Sequence, residues 1–201
     1  MKPSDDEIQA SLEPPGAGVP FLDRILGRFL LKPLVLRRTS WSESERRFCK
    51  AHEKVKQELA LFAPETLTTR ILVPPQKGLE DSSRYWSGAM CARHLTIVGR
   101  EVEGLVVKLT RGESIRKVAD TARLKPELSQ NDPTSIEEYR VFGDTLFQRL
   151  DQTLGDRNAR ATFQHPWFGP MTAKEWASLY SIHTYVHLEQ LRAIRKALGY
   201  G

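Results

Sequence analysis

Cysteine is scarce in this sequence, long apolar runs are missing, and its charge is dispersed; each shortage removes a class of protein. Cys49 and Cys91 are the two cysteines in 201 residues, and neither belongs to a C-x-x-C pair. A disulfide framework is therefore excluded, and a reducing, cytoplasmic setting is expected. No run of about eighteen apolar residues is present, so no transmembrane helix is expected. The stretch from Met1 to Glu7 lacks the basic-then-apolar profile of a secretory signal, which points to a protein that is not exported. Thirty Lys and Arg against 25 Asp and Glu leave a formal charge of +5. The densest basic stretch holds Arg24, Arg28, Lys32, Arg37, Arg38, Arg46 and Arg47 without the interleaved aromatic platforms of single-strand binders, so no specific nucleic-acid partner is expected. Internal repeats, heptads and low-complexity tracts are also missing.

What remains is ordinary globular composition, 40% hydrophobic and 27% charged, in a chain long enough to bury a core. Residues 1–40 read as an extension. Pro3, Pro14, Pro15, Gly16, Gly18 and Pro20 predict a loose tail. Phe21, Leu22, Ile25, Leu26, Phe29 and Leu30 recur at helical spacing up to Pro33, predicting a short amphipathic helix that packs on the main body or attaches to a membrane surface. Residues 41–201 read as one bundle of four helices, over about 43–62, 83–111, 135–154 and 173–198. Three of their starts carry a Ser or Thr three residues before a Glu, the reciprocal capping pattern: Ser42 with Glu45, Thr134 with Glu137, and Thr172 with Glu175. The connections around Pro64–Ser82 and Asn131–Pro133 are too long for tight hairpins, so at least one is expected to cross the end of the bundle. Ile71, Leu72 and Val73 have the composition of a short strand.

Chemistry is most legible in the histidines. Trp176, Leu179, Tyr180, His183, His187, Leu191, Ile194 and Leu198 form one helical stripe, so His183 and His187 face inward one turn apart. Trp86, Met90, His94, Ile97, Val98, Leu105 and Leu109 form a second stripe that carries His94 inward. Three inward imidazoles are either satisfied core residues or the ligands of one divalent cation. Thr184 stands where a zinc-protease helix requires glutamate, so that class is excluded. Cys91, one turn before His94, is either a fourth ligand or a small core filler. His165, before Pro166, reads as structural, and His52, amid Lys50, Glu53 and Lys54, as part of a solvated face.

The string His165-Pro166-Trp167-Phe168-Gly169-Pro170-Met171-Thr172, then Glu175-Trp176 and His183-x-x-x-His187-Leu188-x-Gln190, resembles the C-terminal signature of the DinB-like (YfiT-like) metalloprotein superfamily. Trp86-Ser87 leading to His94-Leu95 resembles its second-helix motif. The resemblance spans about Trp41 to Leu198 and implies an all-α four-helix bundle with His94, His183 and His187 holding one divalent metal ion, nickel or zinc foremost. It further implies a metal-dependent enzyme, foremost a thiol-dependent S-transferase acting on an electrophile, with a metal-dependent hydrolase or a non-catalytic metal-binding stress protein as alternatives and a homodimer as the common assembly. In an enzyme of this kind Trp86, Trp167 and Phe168 would line the mouth, and Glu189 would point outward.

Overall fold

The computed structural model describes residues 4–113, 115 and 119–199. Its body is four long helices: α3 (Trp41–Leu59), α4 (Gly88–Thr110), α5 (Thr134–Thr153) and α6 (Ala173–Ala197). Helix α6 packs against both α3 and α4, and α5 packs against α4 and α3. Around the bundle the order is therefore α3, α6, α4, α5. The connections α3 to α4 and α5 to α6 run between diagonal helices, while α4 to α5 joins neighbours. Of the two long connections noted in the sequence, only the first crosses the bundle diagonally; the other diagonal crossing is residues 154–172.

Each diagonal connection carries a small antiparallel pair. Strand β1 (Ile71–Leu72) pairs with β2 (Tyr85–Trp86), and β3 (Thr162–His165) with β4 (Gly169–Thr172). The second hairpin has no apolar alternation to announce it. Gly169 supplies a φ of +72° in its turn, a conformation that strains residues with a Cβ.

The helix starts differ from expectation in two of three places. Thr172 and Glu175 do form the reciprocal box at α6, with Thr172 N donating to Glu175 Oε2 over 2.8 Å. At α3 the cap is Ser40, whose Oγ accepts from Glu43 N at 3.1 Å; Ser40-x-x-Glu43 has the same spacing as Ser42-x-x-Glu45, two residues earlier. At α5 Thr134 already lies inside the helix and Asp132 takes the cap's work, its Oδ1 accepting from Thr134 N at 2.7 Å. Helix α4 begins at Gly88, capped by Ser87, rather than near Ser83, because 85–86 pair with β1. Ser87 Oγ accepts from Met90 N and donates to Asn131 Oδ1, while Asn131 Nδ2 donates to Thr68 O. One side chain thereby ties the start of α4 to both adjoining loops.

From Ser4 onward the N-terminal segment is not the loose tail that its prolines predict, and Pro3 lies outside the described residues. Helix α1 (Asp5–Ala10) is started by a Ser4–Glu7 capping box, and Asp5 bonds to Arg70 and Tyr85. Glu13 N donates to Asp81 Oδ2 at 2.9 Å, and Gly18 lies against the Trp167 indole. Helix α2 (Phe21–Leu26) continues directly into a wider, π-helical stretch over Gly27–Leu36 that contains Pro33. Proline lacks the amide proton and its ring collides with the carbonyl four residues back, and a wider turn relieves both problems.

The helices meet closely where side chains are small. Gly99 of α4 faces Phe142 and the Tyr180 hydroxyl with no space for a Cβ. Tyr180 uses that approach to donate to Leu95 O at 2.8 Å. Gly143 of α5 likewise faces the His52 ring. His52 is buried rather than solvated, stacked on Phe48 at 5.6 Å and bonded through Nε2 to Asp144 at 3.0 Å. Its charged sequence neighbours mislead, because Phe48, His52, Val55 and Leu59 share one stripe at helical spacing.

Candidate metal centre

Helices α4 and α6 are adjacent, and His94 from one meets His183 and His187 from the other. Their ring centroids are 4.6 Å (His94–His187), 4.5 Å (His183–His187) and 5.1 Å (His94–His183) apart. One nitrogen from each ring lies within 4.8 Å of the other two. Among the described residues no cysteine or carboxylate joins this group. Cys91 is fully buried among Val55, Met90 and Leu191, and burial pushes its thiol above the usual range. It fills core space.

Hydrogen bonds outside the cluster decide which nitrogen faces inward with a lone pair. His94 Nδ1 is 2.8 Å from Leu124 O; a carbonyl only accepts, so Nδ1 carries the proton and Nε2 of the neutral ring is bare. His187 Nδ1 is 2.7 Å from Gln190 Oε1, and Gln190 Nε2 donates to Ser83 O at 2.6 Å. The Ser83 carbonyl orients the amide, so Oε1 must accept from His187 Nδ1. Two bare Nε2 atoms therefore point into the cluster. His183 Nε2 stands 3.1 Å from His94 Nε2, a separation at which two lone pairs repel unless a proton or a cation lies between them. The donor set fits a divalent cation: three neutral imidazoles, two of them oriented from behind.

Neutrality is built in. Burial holds His94 and His183 well below the ordinary imidazole value, and each is further disfavoured as a cation by its neighbours in the cluster. Burial lowers His187 to about 4 despite the bond to Gln190. The Lys125 ammonium, paired with buried Glu80 at 2.7 Å, adds to the effect on His94 and His187. Trp86 of β2 stacks on His187 at 5.8 Å and leans on His94 at 4.9 Å, which keeps solvent off that side. His94 and His187 are buried, and His183 is intermediate in exposure.

Trp86 is thus a wall of the site, and Phe168 is buried while Trp167 is half-buried against the N-terminal segment. Glu189 points outward and pairs with Arg192. His165 is buried on β3, where its Nδ1 accepts from Trp167 N at 3.1 Å and Phe168 N at 3.4 Å. It braces the hairpin turn. An open groove of about 590 Å³ runs along another face of α6, lined by Gln76, Tyr185, Val186 and Glu189 among others, and includes none of the three histidines. Gln190, three residues beyond His187, shows nothing of this role in the sequence beyond its place in the quoted signature. The Leu124 carbonyl leaves no trace in a sequence.

Fold and cluster together define a helical bundle with diagonal crossings and three inward imidazoles between neighbouring helices, the YfiT-like, DinB-like fold. Among solved structures the chain is similar to YfiT from Bacillus subtilis, described as a probable metal-dependent hydrolase with an unusual four-helix bundle topology. The two share 17% identity with a TM-score of 0.57 over 81% of this chain and 91% of YfiT. No family model matches the chain, and no curated protein matches it.

Proposed function

We propose that His94, His183 and His187 hold one divalent metal ion, zinc or nickel, and that the chain is a metal-dependent hydrolase. The observation that carries this reading is the convergence of three imidazole nitrogens within 4.8 Å, with two of the rings fixed in their tautomer from outside. Imidazole nitrogens suit zinc and nickel, and three protein ligands leave a coordination position for an exchangeable molecule, as catalytic sites require. The description of YfiT supports the same reaction class. A bound divalent ion supplies Lewis acidity and lowers the pKa of a water or thiol that shares it. The chain's own residues do the rest. Leu124 O holds the His94 ring, Gln190 holds the His187 ring, and Trp86 excludes water from one side.

Transfer to a low-molecular-weight thiol is the second reading. It is favoured by the lack of a carboxylate in the ligand cluster among the described residues, because a thiol, with a reference pKa of about 8.5, ionises beside a cation without a dedicated base. Both cysteines are free, which suits a reducing cytoplasm.

Elemental analysis of the purified chain is expected to give one divalent ion per molecule, and His94→Ala/His183→Ala/His187→Ala none. Ester and amide hydrolysis, and conjugation of thiols to electrophiles, are then measured with the metal-loaded chain and His187→Ala. Full occupancy in the triple variant would sink the metal site; equal turnover in both proteins would sink the enzyme.

A further inference from the structure

The segment from Phe21 to Arg38 turns its apolar side away from the bundle. Gly27, Lys32 and Leu36 are its buried residues: Gly27 lies against the Phe168 ring, and Lys32 Nζ donates to Phe168 O at 2.8 Å and to Pro170 O. On the opposite side Phe21, Leu22, Ile25, Leu26, Phe29, Leu30 and Leu34 are exposed, Phe21 and Leu22 to about 70%. Their three-and-four spacing makes them one continuous stripe. Seven large exposed apolar side chains on one face form a contiguous patch of the kind that marks an interaction site.

Charge around the stripe says which occupant. Arg24, Arg28, Arg37 and Arg38 are exposed along it, with the Arg28 guanidinium 5.9 Å from the Phe29 ring centre. Arg37 reaches Glu175, whereas Arg24, Arg28 and Arg38 have no carboxylate partner among the described residues. Asp23, the sole acid between Phe21 and Arg38, is turned toward the Gly78 amide. A second copy presenting the same face would cover the stripe but bring no acid other than the engaged Asp23 to these arginines. An anionic bilayer complements both features at once, burying the stripe at the headgroup boundary while phosphates meet the arginines. No helix among the described residues is long and apolar enough to cross a membrane, so the segment lies along the surface. We propose that residues 21–38 dock the protein on an anionic lipid surface through this stripe. Its buried side touches the β3–β4 hairpin, so docking sets the lipid beside the loops of the bundle.

Flotation of the full chain with vesicles of phosphatidylcholine alone, or of phosphatidylcholine mixed with phosphatidylserine, tests the assignment at about 0.1 M salt, where surface charges still act over roughly 10 Å. The protein is expected to float with the mixed vesicles, far less with the neutral ones, and to be released by high salt. Arg24→Gln/Arg28→Gln should weaken binding about fivefold per arginine, and Leu22→Asp/Phe29→Asp should abolish it. The circular dichroism and thermal unfolding of each variant should stay as in the parent, because these side chains are exposed. Binding to neither vesicle, or equal binding to both, would overturn the proposal. So would a dimer, seen by sedimentation, that Leu22→Asp/Phe29→Asp dissociates in a protein without affinity for vesicles; the face would then belong to a second copy.

Discussion

Gln190→Met separates the site's architecture from its ligands. Gln190 is fully buried and makes two bonds, accepting from His187 Nδ1 and donating to Ser83 O. Methionine has nearly the same volume and fills the space without strain. The change therefore removes polarity alone, leaving the His187 N–H and the Ser83 carbonyl without partners in a dry setting. Each orphaned group costs about 1–3 kcal/mol, so urea unfolding in the presence of a chelator should show a loss of about 2–6 kcal/mol. Metal affinity falls for a different reason: His187 loses the bond that fixes its ring and its tautomer, and loss of such a partner typically weakens affinity about 10- to 100-fold. Competition with a chromophoric chelator measures that affinity independently of stability. An affinity within twofold of the parent, with His187 unaltered, would refute the claim that Gln190 sets the lone pair of His187.

Other substitutions test other parts of the structure. His165 is held at about 3 by burial, so the unfolded chain takes up a proton near pH 6.5 that the fold refuses until about pH 3. Stability is then complete above pH 6.5 and falls by up to about 1.4 kcal/mol per pH unit between 6.5 and 3; in metal-free protein His165→Asn, which keeps an acceptor at the Nδ1 position, should show a shallower slope by urea unfolding. Gly143→Ala gains about 1 kcal/mol of helix propensity but drives a Cβ into the His52 ring, and overpacking of about 1–3 kcal/mol wins because Phe48, Tyr139 and Asp144 hold that ring. Gly104→Ala, with open space around it, should instead raise the unfolding midpoint. Ser40→Ala should cost about 1 kcal/mol and Ser42→Ala close to nothing, a pair of thermal melts that reverses if α3 starts where the Ser42–Glu45 spacing places it.

Which residues face inward along each long helix is legible in the residues alone, because a 3.6-residue period is a local property that no partner is needed to read. That was enough to put His94, His183 and His187 on buried stripes, to end the helices near their glycines and to place a short strand at Ile71. It could not say which helices are neighbours. The diagonal crossings, and hence the meeting of α4 with α6, arise from packing across the whole bundle, as does the notch at Gly143 that buries His52 despite its charged flanks. The partners that orient the imidazoles were equally invisible: a carbonyl at Leu124 has no residue signature, and Gln190 becomes meaningful only once Ser83 is brought beside it by the connection before α4. For residues 4–40 the limits were reversed. Proline content predicted a loose tail, yet bonds from Asp5, Glu13 and Lys32 to residues far along the chain hold it in place, and only that anchoring decides which side of the amphipathic stripe faces out.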